Sequence, residues 1–86
     1  MASYQVCAHV GWEELSDSTV VVSLKGGAYY EFSGSAKIIW DLISKGQSVQ
    51  QIVDQLINIF GISAQTATED LNAFLQELIS EGLIIS

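Results

Sequence analysis

Arginine and proline are absent from the 86 residues of this sequence, and only three lysines are present. Ten carboxylate side chains outnumber these lysines and give a formal net charge of −7 at neutral pH. A chain with this balance repels phosphate backbones and offers few groups that could bind them. The composition therefore argues against nucleic acid as a partner.

Cysteine and histidine each occur once, as Cys7 and His9. A single cysteine cannot form an internal disulfide, which predicts a protein of the reducing cytoplasm. The two residues lie two apart on a predicted strand and would share a face, but no third group is recognisable that would orient the histidine as a base. Two soft ligands are also too few for zinc. We therefore expect no enzyme activity, catalytic residue, metal or cofactor; a small hydrolase or redox protein centred on this pair is the alternative.

Long apolar runs are missing as well. No apolar stretch of 18 residues is present, and no basic segment precedes an apolar run, so the sequence predicts neither a membrane span nor a signal peptide. Nevertheless 49% of the residues are hydrophobic, which favours a folded chain over a disordered acidic one. The length fits one domain, residues 1–86.

The first third of the chain has the pattern of β-structure. Apolar residues alternate over 4–10, and β-branched residues fill 19–24. An aromatic run at 28–33 follows directly after Gly26 and Gly27, a pair that favours a tight hairpin turn. Between the first two strands, residues 11–18 are predicted to form an acidic loop or one helical turn. The result is a three-stranded antiparallel meander.

The remaining two-thirds has the pattern of three helices. Gly46 ends the first helix, and Ser48 with Gln51 forms a capping box at the start of the second. The third helix begins at Ser63 or at Thr66 and runs to about residue 81, and an apolar tail at 83–85 follows as a last strand or a docked extension. The fold class is therefore α+β, and the short helix connections suit a helix-turn-helix. Of the tryptophans, one (residue 40) is assigned to the core and the other (residue 12) is left open.

The third predicted helix carries an aromatic side chain among carboxylates. On a helical wheel Phe74 lies beside Asp70, Glu77 and Glu81, at the margin of the leucine stripe that would enter the core. Phe74 is then either a residue at the core edge or part of a binding wall. The wheel alone leaves both interpretations open.

The third predicted strand, residues 28–33, is last in the meander and would lie at a sheet edge unless it is central. Exposed edges offer unpaired N–H and C=O groups, and proteins usually protect them with proline, lysine or bulges. This strand has neither proline nor lysine, and Glu31 is its one charged residue. An unprotected edge of this kind suits β-augmentation, in which a peptide adds a strand to the sheet.

Several segments in their order and spacing resemble one family of small domains. The segments are residues 20–24, 29–32, 33–43, 45–53, 69–78 and 82–84. Together they make the chain similar to the PqqD-like family, the recognition elements that bind the leader segment of ribosomally made precursor peptides. The resemblance covers nearly the whole chain.

The resemblance implies a winged helix-turn-helix with an N-terminal three-stranded sheet. It also implies that a leader peptide pairs with the third strand and lies in a groove against the third helix. The residues that would bind the peptide are Ala28, Tyr29, Tyr30, Glu31, Phe32, Ser33, Asp70, Phe74 and Glu77.

Among such domains, the chain is most similar to the free-standing leader-binding protein of lasso-peptide systems. That similarity implies a non-catalytic adaptor whose partners are a precursor peptide and a leader peptidase. Two alternatives remain: a peptide chaperone for a radical enzyme in another peptide-derived pathway, and an acidic winged-helix regulator.

Overall fold

In a computed structural model, residues 3–85 are described, and they form three helices and five short strands. The elements in chain order are β1 (Gln5–Val6), β2 (Val10–Glu14), β3 (Ser18–Ser23), β4 (Tyr29–Ser33), α1 (Gly34–Ser44), α2 (Val49–Phe60), α3 (Ala64–Ser80) and β5 (Ile84–Ile85). The predicted α+β class, with antiparallel strands before three helices, is confirmed.

Strands β2, β3 and β4 form an antiparallel sheet in that order. In the part of the chain that the structure describes, β4 is therefore an edge strand, which decides the alternative that the sequence left open. The predicted hairpin turn lies between β3 and β4, where Gly27 has a φ of 74° and its N–H donates to the Ser23 carbonyl. A positive φ is easily adopted by glycine.

The first strand of this sheet is not the predicted one. The prediction placed a strand at 4–10 and a loop at 11–18, whereas β2 runs over Val10–Glu14. Glu13 and Glu14 suggested a loop because they are charged, but both are exposed and sit at the outer strand of the sheet, where water solvates them. On the same strand Trp12 is 39% exposed, and its ring centroid lies 5.8 Å from that of buried Trp40 in an edge-on contact.

The two ends of the described chain form a second, two-stranded sheet. Strand β1 pairs antiparallel with β5, with Val6 opposite Ile84, and the Cys7 N–H donates to the Leu83 carbonyl at 3.0 Å. The apolar tail is thus a strand. Cys7 follows β1 and His9 lies in the turn before β2, so the premise that they share a strand face is wrong.

Helix boundaries follow the capping residues closely. Ser48 accepts a hydrogen bond from the Gln51 N–H, and the Gln51 side chain accepts one from the Ser48 N–H, as the capping box predicts. Ser63 caps α3 by accepting from the Thr66 N–H, which settles where that helix starts. Trp40 and the leucine stripe of α3 lie in the core, as predicted.

A polar network fastens the sheet to α1. Thr19 is fully buried and donates to an Asp41 carboxylate oxygen at 2.8 Å. Lys37 Nζ donates to the other Asp41 oxygen at 2.7 Å and to Thr19 Oγ1 at 3.1 Å. Because Thr19 lies opposite Phe32 in the β3–β4 ladder, this network also fixes where β4 meets the helices.

The network predicts a stability effect. Thr19→Val keeps the side-chain shape but removes a hydroxyl that bonds to two charged groups, and we expect the free energy of unfolding to fall by about 2 kcal/mol. Urea denaturation measures the change. The matched control is Thr68→Val, at an exposed position on α3, which should change the value by less than about 0.5 kcal/mol. Equal effects of the two variants would contradict the assigned role of the network.

Candidate functional site

A groove of about 510 Å³ lies between β4 and α3. Its lining combines aromatic, aliphatic and acidic side chains: Tyr30, Phe32, Phe74, Gln76, Glu77, Leu78, Ser80, Glu81 and Leu83. The strand contributes one wall and the second half of the helix contributes the other. The groove is therefore bounded by a sheet edge and by an acidic helix face.

The backbone of β4 divides its hydrogen-bonding groups between two sides. The Ser23 N–H donates to the Ala28 carbonyl at 2.8 Å, which marks this opposed pair as a hydrogen-bonded one. Bonded and non-bonded pairs alternate along an antiparallel ladder, so Tyr30 and Phe32 also bond to β3. The N–H and C=O groups of Tyr29 and Glu31 consequently point to the open edge, where no described strand pairs with them.

The side chains of β4 alternate between the groove and the opposite face of the sheet. Tyr30 and Phe32 are half-buried and face the groove, whereas Tyr29, Glu31 and Ser33 are exposed on the other face of the sheet. On that face a Glu31 carboxylate oxygen accepts a hydrogen bond from Ser18 Oγ at 3.0 Å. The groove thus combines inward side chains from one set of residues with free backbone groups from the other.

Aromatic contacts form the floor of the groove. The ring centroids of Phe32 and Phe74 are 5.2 Å apart in a T-shaped arrangement, and Tyr30 stacks on Phe32 at 6.1 Å. Edge-to-face and offset stacked pairs are favourable geometries for such rings. Phe74 is half-buried, so it belongs to the core edge and lines the groove as well.

A short hydrogen bond joins the two walls at one end of the groove. The Tyr30 hydroxyl donates to a Glu81 carboxylate oxygen at 2.6 Å. This bond raises the pKa of the Tyr30 phenol above its usual value of 10.0, because ionisation would remove the donated proton and place two negative charges together; desolvation of the ring adds to the rise. Tyr30 is therefore held as a neutral donor.

Four of the predicted binding residues line this groove: Tyr30, Phe32, Phe74 and Glu77. Asp70 does not; it borders a second cavity farther along α3. The side chains of Ala28, Tyr29, Glu31 and Ser33 are exposed and do not line the groove. Their assignment as a backbone template stays a prediction.

Sequence reasoning did not assign Gln76, Leu78, Ser80, Glu81 or Leu83 to the site. The helical wheel could have predicted Glu81 as a site residue, since Glu81 falls on the same helix face as Glu77 and Phe74. Leu83 had no such signal because it follows the helix and reaches the groove only through the turn that leads into β5.

Known proteins share both sequence and fold with this chain. The family described as Coenzyme PQQ synthesis protein D (PqqD) matches residues 18–84, most of the chain. The chain belongs to the PqqD family. No curated protein sequence matches the chain.

Two solved structures resemble this PqqD-family chain closely. One is "TbiB1 in Complex with the TbiA(beta) Leader Peptide", with a TM-score of 0.89 and 25% sequence identity over 93% of each chain. The other, "Lasso peptide synthetase B1 complexed with the leader peptide", has a TM-score of 0.88 and covers 99% of this chain and 100% of its own. Its identity is 16%, so this second likeness is one of fold.

The helices are also consistent with the absence of a predicted membrane span. Within residues 3–85, no helix combines the length and apolar character that crossing a bilayer requires.

The Tyr30–Glu81 bond predicts an effect on tyrosine titration. In Glu81→Gln the acceptor loses its charge, so the pKa of Tyr30 should fall back toward 10. Ultraviolet absorbance titration of the tyrosinate measures this, with Tyr30→Phe identifying which ionisation belongs to Tyr30. An unchanged titration in Glu81→Gln would show that the hydrogen bond does not form in solution.

The sign of the accompanying pH effect follows from the raised pKa. A phenol whose pKa is higher in the folded state than in the unfolded state stabilises the fold below pH 10, and that contribution is lost as the pH rises through the folded-state value. The wild-type protein should therefore lose stability in this alkaline range more steeply than Tyr30→Phe.

Proposed function

We propose that this chain is a non-catalytic adaptor that binds the leader segment of a ribosomally made precursor peptide. In this proposal the leader adds a strand to the open edge of β4 and lies against α3, and the adaptor presents the precursor to a tailoring enzyme. The observation that carries the proposal is the pairing of an unprotected strand edge with a groove lined by Phe32 and Phe74. Strand addition draws affinity from backbone bonds and specificity from side-chain pockets.

Membership of the PqqD family supports a peptide partner, and so does the likeness to TbiB1, which was solved with a leader peptide. The pathway in this proposal is lasso-peptide biosynthesis, with which the fold shared with lasso peptide synthetase B1 is consistent. The partner enzyme in this proposal is a leader protease. On this proposal the protein works in the cytoplasm and needs no cofactor. A radical enzyme encoded beside the gene, instead of a protease, would favour the alternative pathway.

We also propose that these elements form a winged helix-turn-helix, in which α2 and α3 would be the paired helices and the β3–β4 hairpin would be a wing. A DNA-binding role is disfavoured by charge. Helix α3 carries Glu69, Asp70 and Glu77 and has no lysine or arginine to meet phosphates. The proposal therefore assigns this fold to peptide binding.

Proline substitution tests pairing with β4. The Glu31 N–H points to the open edge, so Glu31→Pro removes a donor for the peptide without breaking the bonds between β4 and β3. The probe is a synthetic peptide of the leader encoded beside this gene. We expect Glu31→Pro to bind it at least about tenfold more weakly than Glu31→Ala, measured by isothermal titration calorimetry.

Comparison with Glu31→Ala isolates the backbone donor, because both variants lose the Ser18–Glu31 hydrogen bond. Circular dichroism and urea unfolding establish that both remain folded. Equal affinities of the two folded variants would argue against strand addition at this edge, and a wild-type protein that does not bind the leader at all would refute the proposed function.

Truncation of an aromatic ring tests the groove itself. Phe74→Ala removes the wall that meets Phe32 at 5.2 Å, and we expect the affinity for the leader to fall about tenfold or more. Fluorescence anisotropy with a labelled leader measures the change. The matched control is Ile79→Ala, which truncates a 40%-exposed apolar residue of α3 that does not line the groove. A similar loss in both variants would indicate destabilisation of α3 and contradict a specific contact.

A further inference from the structure

A second cavity, of about 230 Å³, lies where α1 begins and α2 ends, against the first half of α3. It is lined by Ser35, Ile39, Leu56, Phe60, Ile62 and Asp70. This cavity is separate from the groove described above, and the two share no lining residue.

The groove and the second cavity nevertheless lie one after the other along the same face of α3. Asp70, Phe74 and Glu77 are spaced four and three residues apart on α3 and therefore share a helix face. Phe74 and Glu77 line the groove, while Asp70 borders the second cavity about 6 Å farther along the helix axis. On the other side, Ser35 follows the end of β4 by two residues. An extended peptide that leaves the edge of β4 at Ser33 thus passes the second cavity.

The second cavity joins an apolar interior to a single negative charge. Ile39 and Leu56 are buried and form its floor, and the Phe60 ring, 43% exposed, forms a wall. The Asp70 carboxylate is exposed, and within residues 3–85 it makes no ion pair and no side-chain hydrogen bond. The rim therefore offers an unneutralised acceptor beside apolar surface.

That combination matches one kind of side chain. Lysine and arginine have apolar stems that pack on hydrophobic surface and cationic ends that bind carboxylates. Within residues 3–85 no lysine pairs with Asp70. Lys37 is engaged by Asp41 at 2.7 Å, and Lys45 lies beyond the opposite end of α1. Lys25 lies in the turn between β3 and β4, at the far end of β4 from Ser35. We therefore expect the counter-charge to come from a bound partner.

We propose that the second cavity is a subsite for one lysine or arginine side chain of the same peptide that occupies the groove. The stem would lie against Phe60 and Ile62, and the cationic end would pair with Asp70. The span from Asp70 to Glu77 is about 10 Å along the helix, which an extended chain covers in about three residues. The basic residue is accordingly about three or four positions from the residue in the groove. This inference rests on the proposed function.

A double-mutant cycle tests the subsite. The probe is the synthetic leader peptide encoded beside this gene, with each lysine or arginine changed to glutamine in turn. We expect Asp70→Asn to weaken binding of the unchanged leader about tenfold. One peptide substitution should cause a similar loss with the wild-type protein and almost no further loss with Asp70→Asn.

Glu69→Gln is the matched control, since it removes the same charge from the neighbouring position of α3, outside both cavities. It should change affinity less than twofold under the same salt conditions. As a second readout, amide chemical shifts of Ser35, Phe60 and Ile62 should change when the unchanged leader binds, and should change less with the glutamine peptide that marks the basic residue.

The outcomes separate this inference from the proposed function. If Phe74→Ala weakens binding but Asp70→Asn does not, or if Asp70→Asn and Glu69→Gln act equally, the subsite is refuted and leader binding stands. A leader whose basic residues all tolerate glutamine also refutes the subsite. If the wild-type protein does not bind the leader, the proposed function fails and this inference fails with it.

Discussion

The position of Phe32 determines how the sheet, the helices and the groove are related. Its ring lies 5.7 Å from that of Trp40 in α1 and 5.2 Å from that of Phe74 in α3, and Tyr30 stacks on it from the same strand. Its partner across the ladder, Thr19, is tied to α1 through the polar network. Strand β4 is therefore held by its inward side chains, and no strand among residues 3–85 pairs with its outer backbone groups.

Because alternate residues of β4 have these different roles, the strand can be firmly packed and still present an open edge. In β4 the residues that anchor the strand, Tyr30 and Phe32, also bond to β3, whereas Tyr29 and Glu31 direct their backbone groups outward. A partner strand can bind without displacing any native ladder bond. The cost of binding then falls on ordering the peptide and not on remodelling the domain.

Local patterns were sufficient to predict the elements that position the site. The Ser48–Gln51 capping box and the β3–β4 hairpin are encoded within a few residues, and both were predicted. Charge at Glu13 and Glu14 misled the placement of β2, because an outer strand tolerates solvated carboxylates. The pairing of β1 with β5 joins residues about 80 positions apart, and no local pattern reports such a contact. For the same reason the wheel identified the acidic face of α3 but not its division between two cavities.

The negative charge of the chain also helps to explain why the open edge of β4 need not pair with a second copy of the protein. Edge strands without proline or lysine tend to pair with other chains. Here the groove beside β4 is bounded by α3. Glu77 and Glu81 line that space, and the whole chain carries a charge of −7, so a second copy approaching the edge meets like charge. The carboxylates that repel phosphate backbones thus also disfavour self-association, while a peptide with basic residues is attracted to the same surface.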